Sequence, residues 1–203
     1  MDYKAYKTIQ KPYSTELVIE RSRFIGHCSE VADETEAKAF ITKIRAEHAQ
    51  ATHNCYAYRI GINVEPVEYF NDHGEPSGTA GKPILGAIQR LELTNVVVVV
   101  TRYFGGKKLG VRGLIEAYGA TATAVLEQAE VVIKIPRFAV TLTYQYPDHS
   151  LVQYRLQQID AEVINTYFTE IVSSEILIPE ANWELFNSLI NELPGIKYKL
   201  TSE

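Results

Sequence analysis

The five consecutive valines at positions 96–100 form the longest uninterrupted apolar run in the chain. A strand built from them is apolar on both faces, so it belongs in a sheet interior with something covering each side. Two glycine-rich loops bracket it. The first is Asp72-His73-Gly74-Glu75-Pro76-Ser77-Gly78-Thr79-Ala80-Gly81-Lys82-Pro83, the second Arg102-Tyr103-Phe104-Gly105-Gly106-Lys107-Lys108-Leu109-Gly110. Each leads into a segment of helical character. Glycine lets backbone approach a ligand closely, the first amides of a helix lack intrahelical partners, and the helix dipole favours negative charge beside them. Lys82, Arg102, Lys107 and Lys108 add mobile positive charge to the same rim, which points to a phosphate-bearing partner.

With 203 residues, 46% hydrophobic and 22% charged, the chain has the composition of an ordinary globular protein of one large or two smaller domains. The valine run is far below the ~20 apolar residues that span a bilayer. The start Met1-Asp2-Tyr3-Lys4 lacks a secretory apolar core, and Cys28 and Cys55 are too sparse for a disulfide framework. These features predict a cytoplasmic protein with no membrane partner. The net charge of −5 is unevenly spread: residues 1–134 hold 16 basic and 16 acidic side chains, residues 135–203 hold 4 and 9. A neutral first part can carry a local basic face, while an acidic second part limits indiscriminate binding to polyanions. Eleven of the 12 glycines precede residue 135, which places a domain boundary between residues 1–134 and 135–203.

Periodicity supplies the elements. Residues 16–28 read as an opening strand region with a turn near Ser22. Ala37, Phe40, Ile41 and Ile44 make an i, i+3, i+4, i+7 stripe, with Asp33 and Glu36 at the spacing of an N-cap and its reciprocal partner, so residues 33–48 form a helix. Residues 54–62 and 67–71 read as strands and 79–91 as a helix that Ser77 or Thr79 caps. Residues 113–129 form a buried helix through Leu114, Ile115, Tyr118, Val125 and Leu126. The second part repeats strand, helix, strand twice, over 140–146, 148–158 and 162–169, then 171–178, 180–193 and 196–200. That order predicts a ferredoxin-like sandwich. The fold class is α+β.

Neither loop is a nucleotide loop of familiar kind: alignment of Gly-x-x-x-x-Gly-Lys-Ser/Thr puts Pro76 and Pro83, or Thr101 and Lys108, at required positions. Ser77 does not sit in Gly-x-Ser-x-Gly. His53 and Cys55 share one strand face, as half of a metal site or a Cys–His pair would, yet no further clustered ligands accompany them. Tyr56, Tyr58, Tyr69, Tyr103 and Phe104 interleave with basic residues as in a base-stacking surface, and Tyr103 is the favoured stacking residue because its neighbours are loop and charge. Arg112 and Glu116, four apart, have the spacing to pair across one helical turn.

These residues resemble the YigZ and IMPACT family over nearly the whole chain. The clearest pieces are Ser22-Arg23-Phe24-Ile25, Ala51-Thr52-His53-Asn54-Cys55-Tyr56-Ala57-Tyr58-Arg59, the stretch from Gly74 to Pro83, and Thr101-Arg102-Tyr103-Phe104-Gly105-Gly106 with Leu109-Gly110. Two departures stand out: Asp72-His73 where bacterial relatives commonly carry two acidic residues, and Arg112 with Glu116 where relatives often carry glycine and a basic residue. The resemblance implies an N-terminal domain like a domain of a small-subunit ribosomal protein and the fourth domain of elongation factor G. It implies a C-terminal domain like that factor's fifth. The eukaryotic branch regulates translation through an additional N-terminal interaction domain; here the family motif begins about twenty residues in, so only a general link to translation carries over.

The combined expectation is a translation-linked protein that binds RNA or the ribosome. Arg102, Lys107 and Lys108 contact phosphate, supported by Lys82, Arg23, His53, Tyr103 and the glycines Gly105 and Gly106. No cofactor, metal or catalytic residue is assigned. Two alternatives stand beside it. One is an enzyme acting on a small phosphorylated or nucleotide substrate between the loops, with Glu75 or Asp72 as acid or base and His53 or His73 in support. The other is a protein-interaction module whose acidic C-terminal domain docks a partner.

Overall fold

The computed structural model describes residues 5–62 and 65–201; the opening residues 1–4, read above for a secretory core, lie outside them. The chain divides into two compact units, Tyr6–Lys134 and a second beginning at Ile135.

The first unit runs β1 (Tyr6–Ile9), β2 (Tyr13–Ile19), β3 (Ser22–Glu30), α1 (Glu34–Glu47), β4 (His53–Ile60), β5 (Val67–Asn71), α2 (Gly81–Arg90), β6 (Val96–Tyr103), α3 (Gly110–Gln128) and β7 (Val131–Lys134). Its main sheet has the order β2-β3-β6-β4-β5, antiparallel throughout, so the valine strand β6 is central. Val96, Val98 and Val100 pack with α2 and α3, while Val97 and Val99 pack with α1 through Ala37, Ile41 and Ile44. All five valines are fully buried, each stabilising the fold by roughly 1.5 kcal/mol or more.

The capping pair at α1 forms. Asp33 Oδ1 accepts the Glu36 N–H at 2.9 Å, and Glu36 Oε2 reaches back to the Ala32 N–H at 2.8 Å, one residue before the cap. The opening strand region is two strands joined at Glu20 and Arg21, both at positive φ (47° and 68°), a hairpin turn one residue earlier than the pattern indicates. On α3 the buried face is Leu114, Ala117, Tyr118, Thr121, Ala122, Val125 and Leu126. Ile115 is 41% exposed, contrary to expectation, because it lies one residue off that stripe. A separate antiparallel pair, β1 with β7, has no counterpart in the sequence pattern.

The second unit comprises β8 (Arg137–Tyr144), α4 (His149–Gln157), β9 (Glu162–Phe168), β10 (Val172–Pro179), α5 (Trp183–Asn191) and β11 (Lys197–Leu200). Its sheet order, β11-β8-β10-β9, all antiparallel, is that of a split β-α-β unit, the ferredoxin-like sandwich. Its own core contains Leu142, Tyr144, Leu156, Ile176, Phe186 and Ile190. No helix among the described residues is long and apolar enough to cross a membrane.

Within the first unit, His27 on β3 is 7% exposed. Its Nδ1 lies 2.8 Å from Ser14 Oγ, its Nε2 has no partner among the described residues, and its ring centroid is 5.0 Å from that of His48. Burial, and secondarily the neighbouring His48, hold the imidazole down at about 4, from an ordinary 6.5. The unfolded chain therefore takes up this proton first, and stability is lost as pH falls from about 6.5 to about 4. In urea denaturation between pH 7 and 4.5, His27→Gln should show a shallower loss than the native chain; parallel curves would contradict this.

Candidate functional site

The two glycine loops meet at the end of β6. Arg102, the last residue but one of that strand, is not the mobile rim charge its sequence position indicates. It is 5% exposed and donates from Nη1 to Glu75 Oε1 at 2.6 Å, so an ion pair buried at both ends ties the second loop to the first. The guanidinium carbon lies 5.4 Å from the centroids of both Phe24 and Phe104. Among the described residues its Nη2 reaches only Ser22 Oγ, at 3.5 Å, and its buried Nε has no partner.

Glu75 Oε1 also accepts the Tyr118 hydroxyl at 2.9 Å and lies 3.8 Å from His53 Nε2. Tyr118 is fully buried on α3, and burial pushes its phenol far above the ordinary range, with Cys55 and Glu75 acting in the same direction. Cys55 donates from Sγ to the Asp72 carbonyl at 2.9 Å, and burial pushes its thiol up to about 12, which leaves it a packed, unreactive group. His53 is tied to the first loop, its Nδ1 2.9 Å from the His73 carbonyl oxygen. Burial holds the His73 imidazole below its usual value, and its Nδ1 accepts the Asn54 N–H at 3.1 Å.

The loops differ in how they treat the helix each precedes. In the first, Asp72 Oδ1 accepts the N–H groups of Ala80 and Gly81 at 2.9 and 2.8 Å, and Oδ2 accepts that of Gly78 at 2.8 Å. The chain's own carboxylate thus occupies the amino end of α2. Neither Ser77 nor Thr79 caps it, because Thr79 Oγ1 turns back to the Pro76 carbonyl at 2.7 Å and Asp72 already holds the amides. Gly81 is required here: a Cβ would stand 2.7 Å from the Asn71 nitrogen. In the second loop, α3 begins after Leu109 with no side-chain cap and no acidic residue in its first turn. Gly105 presses against the β2–β3 turn so closely that a Cβ would lie 1.8 Å from the Arg21 carbonyl oxygen.

A groove of about 380 Å³ opens between the loops, lined by Glu75, Pro76, Arg102, Phe104, Lys108, Leu109, Gly110, Val111 and Leu114. Of the residues named from sequence, Arg102 and Lys108 line it, together with Phe104 from the aromatic set and Glu75 from the enzyme alternative. Lys107 pairs with Glu20, Arg23 with Glu16 at 2.9 Å, and Arg112 with Glu116 at 2.8 Å, all on exposed surface. Lys82 is exposed on α2 and away from the groove lining. Tyr103 is half-buried, its hydroxyl 3.0 Å from His48 Nδ1 and its ring 5.4 Å from the Arg23 guanidinium carbon. Tyr56 and Tyr58 stack with Tyr69 on the sheet. The exposed ring at the groove is Phe104, 46% accessible. Glu75 as the partner of Arg102, and Tyr118 beneath it, were missed as a unit because they come from three separated segments with no shared period.

Residues 20–126 match the family model described as the Impact N-terminal domain, and residues 142–193 match the domain of unknown function DUF1949. The chain belongs to the IMPACT family. It is 39% identical to IMPACT family member YvyE of Bacillus subtilis (strain 168) over 193 residues, 95% of this chain and 88% of that protein. It is 34% identical to IMPACT family member YigZ of Escherichia coli (strain K12), covering 84% of each. A crystal structure titled as that of an hypothetical protein superposes with a TM-score of 0.70 at 30% identity, covering 98% of both chains. Every groove-lining residue falls inside the segment matched by the Impact N-terminal domain.

Asp72 in this IMPACT-family chain is a remote helix cap. Asp72→Ala leaves three amides without their acceptor and should cost about 2–3 kcal/mol in urea denaturation, with Asp72→Asn costing less. A loss below about 0.5 kcal/mol for the alanine variant would contradict the capping role.

Proposed function

We propose that this chain is a translation-linked regulatory protein that contacts RNA, free or within the ribosome, through the second glycine loop and the start of α3. The observation that carries this reading is the contrast between the loops. At α2 the amides are filled by Asp72, whereas the amino end of α3 has no side-chain cap and no first-turn acid and lies beside Lys107 and Lys108. Backbone amides and a helix dipole with adjacent lysines suit a phosphate oxygen. The Lys107–Glu20 pair is exposed on both sides, and such pairs contribute little, so a phosphate can displace the carboxylate at small cost. Family membership supplies the link to translation, through the regulatory role of its eukaryotic branch. Arg102 enters this reading as the group that fixes the loops rather than as a phosphate ligand.

Binding of this kind releases counterions and weakens steeply with salt. Co-sedimentation with ribosomes and titration with structured RNA across a salt series should show it. The double variant Lys107→Glu, Lys108→Glu should bind every RNA more weakly and reduce the log–log salt slope by roughly 1–2. Unchanged affinity and slope would remove the second loop from the interface.

A further inference from the structure

The base of the groove holds polar capacity that the fold does not use. Glu75 is 5% exposed at its side chain, yet both of its protein hydrogen bonds, from Arg102 and Tyr118, fall on Oε1. Oε2 has no hydrogen-bond partner among the described residues. Arg102 beside it keeps donors to spare: Nε without a partner and Nη2 with only a long contact to Ser22. The exposed ring of Phe104 lies against the same guanidinium, its centroid 5.4 Å from the guanidinium carbon. The rim carries Lys108 and the first residues of α3, Gly110 and Val111.

Carboxylate acceptor, guanidinium donor, aromatic face and anion-favouring helix start occur within one groove of about 380 Å³, a size suited to a small ligand. Among the nucleobases, guanine alone presents an acceptor, O6, followed by two adjacent donors, N1–H and the N2 amino group, along its pairing edge. Uracil places carbonyl oxygens on both sides of its single donor, against the Glu75 lone pairs. Adenine and cytosine each offer one amino group next to a ring acceptor. Bases free to be read on this edge are unpaired ones, and proteins commonly stack them on an aromatic side chain.

We propose that this groove takes one unpaired guanine nucleotide, with its N1–H and N2–H donors converging on the free Glu75 Oε2, its O6 toward Arg102, its ring on Phe104 and its phosphate at the start of α3 beside Lys108. The proposal rests on the RNA-binding reading above and deepens it by naming what that site selects. Glu75 and Arg102 then serve two ends: their mutual bond closes the loops, and their remaining acceptor and donors read the base.

The test is fluorescence anisotropy of the full chain with labelled UUGUU, UUAUU, UUCUU and UUUUU ribonucleotides. UUGUU should bind about tenfold more tightly than UUUUU, the discrimination expected of a good two-bond base contact. In Glu75→Gln the amide oxygen faces Arg102 and the amino group replaces the free acceptor, so the guanine preference should fall below about twofold. Phe104→Leu, at an exposed position that leaves the core intact, should weaken UUGUU binding roughly fivefold through lost stacking. Competition by GMP would make the free nucleotide a sufficient ligand; without it, the guanine is read within a strand. Salt-sensitive binding of all four oligonucleotides with equal affinity, or a guanine preference retained in Glu75→Gln, overturns this proposal alone. Failure of all four to bind overturns the RNA-binding reading with it.

Discussion

The ion pair between Arg102 and Glu75 is the interaction on which the arrangement of the two loops depends. Both charges are withdrawn from water, with side chains 6% and 5% exposed, and each costs several kcal/mol to bury if unpartnered. The Nη1–Oε1 distance of 2.6 Å therefore fixes where the first loop stands relative to the end of β6. Tyr118 donates to the same carboxylate oxygen, which extends the constraint to α3. Sheet, first loop and α3 thus converge on one carboxylate, and the groove lies between the parts so joined.

The apolar core makes that convergence rigid. With valines packed on α2 and α3 from one face and on α1 from the other, β6 has little freedom to shift, and its last residues inherit that position. Arg102 is delivered to the groove by register alone, opposite His53 on β4 and Phe24 on β3. Glycines work at the contact points where a side chain has no room, Gly105 against the β2–β3 turn and Gly81 against Asn71. The glycine-rich loops are in this respect packing devices, and they differ at the helices that follow: Asp72 holds the first amides of α2, whereas no side chain among the described residues caps α3.

The architecture was legible where one-dimensional signals are strong. The valine run implied a central strand covered on both faces, Asp33 with Glu36 marked a helix start, and the doubled strand-helix-strand order implied the ferredoxin-like sheet. The short β1–β7 pair was not legible: four residues at each end of the first unit pair across more than a hundred intervening positions, and neither segment carries a turn or a clean alternation. The candidate site was half legible. Glycine, lysine and arginine content located the groove, but a count of charges says nothing about which are spent. Arg102 is neutralised by a residue 27 positions away, Lys107 meets Glu20 only in an exposed surface pair, and the capping acid of α2 sits eight and nine residues before the amides it binds. Sequence spacing carries no record of such pairings because they are made through the tertiary fold.

The central claim is that the Arg102–Glu75 bond holds the two loops together, and a double-mutant cycle measures it directly. Unfolding free energies of Arg102→Met, Glu75→Leu and the double variant should show each single substitution costing about 3–5 kcal/mol, since it leaves a buried charge uncompensated. The double variant should recover at least about 2 kcal/mol of the summed loss. Losses that add to within about 0.5 kcal/mol would mean that the two side chains act independently, and the account of how the groove is built would fail.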